Sequence, residues 1–164
     1  MAKKKQVDSN VLAQNRKASF NYSITDTYEA GMQLTGTEIK SVRAGQINIS
    51  EGYVTIRNNE AWLNNVNISE YKQGNQFNVD PLRRRKLLLH KNEIKKLQVA
   101  DETSGKAIVP LRVYMKKGFA KILIGIGIGK RTIDKRQTIK ERDIKRETNR
   151  ILKNSRSKLV NKIK

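Results

Sequence analysis

The sequence predicts a mainly β fold: a small antiparallel barrel of the OB type, with about six strands, two or three short helices and a basic C-terminal tail. Three observations lead there. Two stretches near residues 109–128 alternate apolar and polar residues at the strand period across a turn. Shorter runs of the same kind precede them, punctuated by Asn and Gly. The apolar residues then stop: residues 130–164 hold 8 of them in 35, too few to build a core, so the foldable body ends near Gly129.

Taken in order, residues 1–14 are polar and irregular and read as a flexible leader. In Ser19–Ile24, Phe20, Tyr22 and Ile24 alternate with polar residues, which predicts a strand buried on one face. A second short strand is expected over Glu29–Leu34. Thr37 is placed to cap a short helix over Glu38–Ala44, with Glu38 in the positive first turn and Gly45 as the left-handed stop. Tyr53–Arg57 and Ala61–Val66 read as an antiparallel pair, because Asn58 and Asn59 tolerate the positive φ of a tight hairpin turn. After a polar loop ending at Asp80-Pro81, the triplet Leu87–Leu89 reads as a buried strand behind Arg83–Lys86. A short basic helix over Lys91–Leu97 follows. The last pair is the clearest: Val109, Leu111, Val113 and Met115, a turn at Lys117-Gly118, then Ala120, Ile122, Ile124, Ile126 and Ile128.

Charge restricts the function classes. The 164 residues carry 35 Lys and Arg against 15 Asp and Glu, a formal +20, and such an excess seeks polyanions, nucleic acid first among them. Residues 130–164 carry 14 Lys and Arg against 4 Asp and Glu, a net +10. That tail is expected to be disordered when free and to become helical when phosphates neutralise it. Cysteine is absent and His90 is the only histidine, which excludes disulfides, thiolate chemistry and a transition-metal cage; no cofactor is expected. No segment approaches the roughly 18 apolar residues of a membrane span, so a soluble, cytoplasmic protein is expected.

Gly125, Gly127 and Gly129 before Lys130 suggest a phosphate loop, but a Walker sequence needs Gly where Ile124 stands and Ser or Thr where Arg131 stands. The glycines instead let a strand bend or let an RNA backbone approach closely. Arg83, Arg84, Arg85 and Lys86 beside a core strand form a fixed cationic row, and Arg offers phosphates a planar fork. His90 reads either as a strand-end polar residue or as a partner that stacks on or hydrogen-bonds a base. No constellation of nucleophile, base or paired carboxylates stands out, so catalysis is not expected.

The stretches Asn15–Ala18, Tyr28–Gly31, Gly36–Gly45, Gly74–Pro81, Arg85–His90, Asp134–Arg136 and Ile139–Glu147, in this order, resemble the small protein B family, the bacterial partners of transfer-messenger RNA in trans-translation. The resemblance implies an OB-like barrel, as a monomer, whose conserved face binds the tRNA-like domain of that RNA. RNA contact is then expected from Asn15, Arg16, Lys17, Glu29, Glu38, Lys40, Arg43, Arg84, Arg85, Lys86, Leu88 and His90. It also implies a tail, loose in solution, that folds as a helix in the vacant mRNA channel beside the decoding centre of the small ribosomal subunit. Lys130, Arg131, Asp134, Lys135, Arg136, Lys140, Arg142, Lys145 and Arg146 would serve it there. Many members carry an aromatic residue just before the Asp-Lys-Arg triplet, where this chain has Ile133, so charge rather than stacking is expected at that point. A structural ribosomal protein or an initiation-factor-like OB module would share the same charge and strand pattern.

Overall fold

The computed structural model describes the backbone of residues 10–161 and the side chains of residues 10–155. The chain divides into two units, Met1–Gly129 and Lys130–Lys164.

The first unit runs β1 (Val11–Gln14), α1 (Arg16–Asn21), β2 (Tyr22–Met32), α2 (Gly36–Arg43), β3 (Ile47–Asn48), β4 (Tyr53–Arg57), β5 (Glu60–Asn64), β6 (Asn67–Ile68), a 3-10 turn (Asn75–Phe77), β7 (Arg85–Leu88), α3 (Lys91–Glu102), β8 (Lys106–Lys116) and β9 (Phe119–Gly129). Strands pair antiparallel in the order β8-β4-β5-β7-β2-β9, and β9 pairs back onto β8, so six strands close into a ring. β1 adds to the outer edge of β8, and β3 pairs with β6 separately. Closure leaves the six ring strands without a fully open edge.

The alternation read from the sequence sets the interior. Ile108 and Val113 of β8, Ile122, Ile124 and Ile126 of β9, Val54, Leu63, Leu87 and Ala30 fill the ring, and Val42 of α2 with Leu97 and Ala100 of α3 cover it. Both predicted hairpins form, each closed by two residues at positive φ: Asn58 (50°) with Asn59 (59°), and Lys117 (50°) with Gly118 (79°). That geometry matches the right-handed twist of the strands it joins. The long hairpin slips register between Pro110 and Arg112, next to a residue with no N–H for the ladder.

Several local expectations need correction. Phe20 lies in α1, not in a strand: the Asn15 side chain accepts from the Ala18 N–H and starts a helix, so β2 begins only at Tyr22 and continues without interruption to Met32. The cap of α2 is Thr35 rather than Thr37. The Thr35 N–H donates to Glu38 Oε2 at 3.0 Å while its hydroxyl accepts from the Glu38 N–H. Gly45, at φ 73°, does stop this helix. Of the triplet, Leu87 is buried but Leu88 points outward, and α3 continues to Glu102. Within the supposed leader, Val11–Gln14 is a strand paired with β8, because β8 has an edge free beyond β4; residues 1–9 lie outside the described residues.

Glycines 125 and 127 do allow a close approach, but of the chain to itself. A Cβ on Gly127 would stand 2.7 Å from the Tyr22 Cβ, and one on Gly125 2.9 Å from Ile24 and 3.0 Å from Leu111. Side chains of β2 and β8 occupy that space, leaving no room there for an RNA backbone.

The second unit is one helix, α4 (Thr132–Asn161), with Asp134 in the positive first turn. A helix is the form expected of this tail once its charge is neutralised. Ile133, Ile139, Ile144, Ile151 and Leu152 are all exposed, so its helicity rests on local hydrogen bonding and not on burial. Thr138 and Thr148 donate to carbonyls four residues back. Among the described residues no helix is long and apolar enough to cross a membrane.

Candidate nucleic-acid interface

β7 separates two environments. Its inward residue, Arg85, is 0% exposed, and every nitrogen of its guanidinium is used within the fold. Nε donates to Glu38 Oε1 at 2.9 Å, Nη1 to the carbonyls of Val66 and Arg83 at 2.8 and 3.0 Å, and Nη2 to the Pro81 carbonyl at 2.9 Å. Glu38, 4% exposed, also takes a fork from Arg83, 2.9 Å to Oε1 and 2.5 Å to Oε2. Burial pushes the Glu38 carboxyl up, but the bonds from Arg83 and the Thr35 N–H, with the charge of Arg85, outweigh it and hold the group below the usual carboxylate range. Burial lowers the Arg85 pKa, with Glu38 opposing the shift.

The expectation that Arg85 and Glu38 touch RNA directly is therefore corrected: they tie α2 to the loop leading into β7. Asn15 is corrected likewise. It is buried, caps α1, and donates to the carbonyls of Ile49 at 3.2 Å and Pro110 at 3.0 Å.

Outward, β7 lines a cleft of about 550 Å³ that gathers Glu29, Lys86, Leu88 and His90 from β2, β7 and the start of α3, together with Lys121 of β9 and Lys91. Four residues singled out in the sequence thus meet in one place. Leu88 is 55% exposed beside them, an apolar platform amid charge. Lys86 pairs across strands with Glu60. Glu29 accepts from the Tyr114 hydroxyl and from Lys116 at 3.0 Å. The Tyr114 bond, with Lys116 and Lys121, holds Glu29 below the usual carboxylate range against its partial burial. The Glu93 carboxylate accepts from the His90 N–H at 2.9 Å, which fixes the start of α3 and leaves the imidazole exposed. An ammonium for phosphate, carboxylates for base amino groups or ribose hydroxyls, and an apolar surface with an imidazole for a base face are the donor set of an RNA-reading surface.

The remaining predicted residues lie elsewhere on the surface. Arg16 and Lys17 are exposed on α1, where Lys17 pairs with Glu51 at 2.5 Å. Lys40 lies 5.3 Å from the Tyr71 ring centre, Arg43 donates to the Gly118 carbonyl at 3.4 Å, and Arg84 is exposed. In the tail, Arg131, Asp134, Arg136, Lys140, Arg142, Lys145 and Arg146 are exposed, with Lys130 and Lys135 half-buried. Lys121 and Lys91 were missed as cleft residues. The available signal was Lys121 as the polar interruption between Ala120 and Ile122 on a strand expected to face inward. Among the described residues no group of three or more His, Asp or Glu could hold a metal ion.

A closed six-stranded barrel with a cleft of mixed charge on its wall, in a chain of net charge +20, defines a basic β-barrel of the nucleic-acid-binding class. The family model described as SmpB protein matches residues 12–154, and the chain belongs to that family. It is 70% identical over 154 residues to the SsrA-binding protein of Oenococcus oeni, covering 94% of this chain and 99% of that one. Identity is 65% to the SsrA-binding protein of Leuconostoc mesenteroides, covering 94% and 100%, and 60% to that of Lacticaseibacillus casei, covering 93% and 98%. Among solved structures, a chain of "tmRNA-SmpB: a journey to the center of the bacterial ribosome" superposes with a TM-score of 0.64 at 42% identity, covering 76% of this chain and 87% of that chain.

Proposed function

We propose that this protein is a non-catalytic RNA-binding adaptor of the bacterial cytoplasm. It binds the tRNA-like domain of transfer-messenger RNA and delivers it to stalled ribosomes for trans-translation. The cleft beside β7 grips the RNA, and the tail enters the vacant mRNA channel of the small subunit. The observation that carries the reading is the convergence of Glu29, Lys86, Leu88 and His90 on one exposed cleft in a chain of net charge +20. Membership of a family whose relatives are SsrA-binding proteins at 60–70% identity supports the partner. The division of labour is supported by the two units: the body has the core and the cleft, while α4 presents exposed cations, Arg136, Lys140 and Arg142 among them, and the apolar residues of its described side chains are exposed.

The test is a pair of measurements on one set of preparations, RNA affinity and peptide tagging on ribosomes stalled without a stop codon. A chain ending at Gly129 is expected to bind transfer-messenger RNA nearly as well as the full chain and to lose tagging. Asp134, Lys135 and Arg136 changed together to Ala are expected to reproduce much of that loss. Full tagging by the truncated chain would refute the role of the tail.

A further inference from the structure

We infer that Phe119, at the tip of the β8–β9 hairpin, is a stacking platform for an unpaired base of the RNA held in the neighbouring cleft. The inference rests on the RNA reading of that cleft and adds a contact to it.

Phe119 is 69% exposed, one of the most exposed large apolar side chains of the body. Its position is not that of a loose loop. The turn beneath it holds Lys117 and Gly118 at positive φ, Lys116 pairs directly with Phe119 in the ladder, and Arg43 of α2 donates to the Gly118 carbonyl. Side chains two apart on a strand share a face, so Phe119 and Lys121 point the same way, and Lys121 lines the cleft. Lys116, opposite Phe119, donates to Glu29, another lining residue. The aromatic ring therefore continues the cleft along β9.

Charge selects the occupant. Lys116, Lys117 and Lys121 flank Phe119 along the hairpin and Arg43 reaches the adjacent Gly118 carbonyl, while Glu29, bound to Lys116, is the carboxylate beside them, so this end of the cleft keeps a net positive charge. An apolar knob of a protein partner would meet this positive charge with nothing to offer it, whereas a nucleotide brings its own phosphate to the cations and a π face to the ring. Stacking on an aromatic side chain requires an unpaired base, because a base inside a helix already has both faces covered. The contact reads single-strandedness more than sequence, since every base has such a face.

The experiment measures binding of the full chain to the tRNA-like domain of transfer-messenger RNA over a range of salt. Phe119→Ala is expected to bind roughly 5- to 30-fold more weakly, equivalent to about 1–2 kcal/mol. Its slope of log affinity against log salt should be unchanged, because no phosphate contact is lost. Phe119→Trp is expected to keep the affinity and to show indole quenching on RNA addition beyond that of the unsubstituted chain, which reports Trp62 alone. Unchanged affinity in Phe119→Ala, or a loss accompanied by a shallower salt slope, would overturn the inference. A loss of ribosome binding with RNA affinity intact would overturn it too, by making the tip a different contact. The double variant Lys86→Ala, His90→Ala, run alongside, tests the cleft separately: if it binds normally the cleft reading falls, whatever Phe119 does.

Discussion

Arg85 and Lys86 are consecutive cations of one strand, yet Arg85 is sealed among Glu38 and three backbone carbonyls, while Lys86 lines an open cleft and pairs there with Glu60. The strand's two-residue period assigns them to opposite faces, and their side chains suit their fates. A guanidinium has five donors in a fixed plane and can satisfy a buried site without a water; an ammonium is strongly hydrated and better left in contact with solvent. The lesson is that a run of cations in a basic protein is not one surface. Half of this run builds the frame on which the other half is displayed.

The comparison breaks if the buried set behaves like a surface. The largest effect is expected from Arg85→Ala, which leaves Glu38 short of a buried partner and should cost about 3–5 kcal/mol in urea unfolding. Arg85→Lys should also lose stability, because one ammonium cannot replace the fork. An unchanged unfolding midpoint with lost RNA binding would return Arg85 to the surface. Asn15→Ala should cost about 1–3 kcal/mol in thermal or urea unfolding, from the lost cap and the carbonyls of Ile49 and Pro110 left unpaired.

On the open side the signs reverse. Lys86→Ala with His90→Ala should leave unfolding within about 0.5 kcal/mol of the parent while weakening RNA binding roughly tenfold, and the salt slope should fall by about 0.7 for the one phosphate contact removed. Filter binding at several salt concentrations checks both. The smallest effect is in acid. Glu38 has a depressed pKa in the folded chain, so its contribution is complete above the unfolded value, about 4.3, and is lost as pH falls from there through the folded value. Glu38→Gln should flatten that part of the stability profile; an unaltered acid limb would place the titrating group elsewhere.

Much of the barrel was legible because its signals are local. Ile122, Ile124 and Ile126 alternate, and Asn58-Asn59 and Lys117-Gly118 turn, whatever surrounds them. What escaped depended on partners distant in sequence. Phe20, Tyr22 and Ile24 keep a strand period, but Asn15 caps a helix that holds the first of them, and only contact with Ile49 and Pro110 fixes that side chain. Val11–Gln14 is a strand only because β8 offers it an edge. For the site, residue types pointed to RNA but not to exposure: Glu38 and Arg85 read as charges like any others until the ion pair between them, 47 positions apart, is seen. Glu29, Lys86, Leu88 and His90 could each be named as candidates from residue type, whereas their meeting in one cleft is a property of the ring.

That ring is closed by the pairing of β2 with β9, whose register runs from Tyr22 opposite Gly129 to Gly31 opposite Lys121. The seam joins the first ring strand to be synthesised to the last, across nearly the whole body. Bringing such distant segments together must overcome the loop entropy of everything between them before any ladder bond forms, so the barrel belongs among slow, high-contact-order folders. Local hairpins, β4 with β5 and β8 with β9, can form first, but β2 must wait with an unpaired edge until the final strand is available. During translation this interval is the chain's most exposed to misassociation, and the speed of the last closure sets how long it lasts.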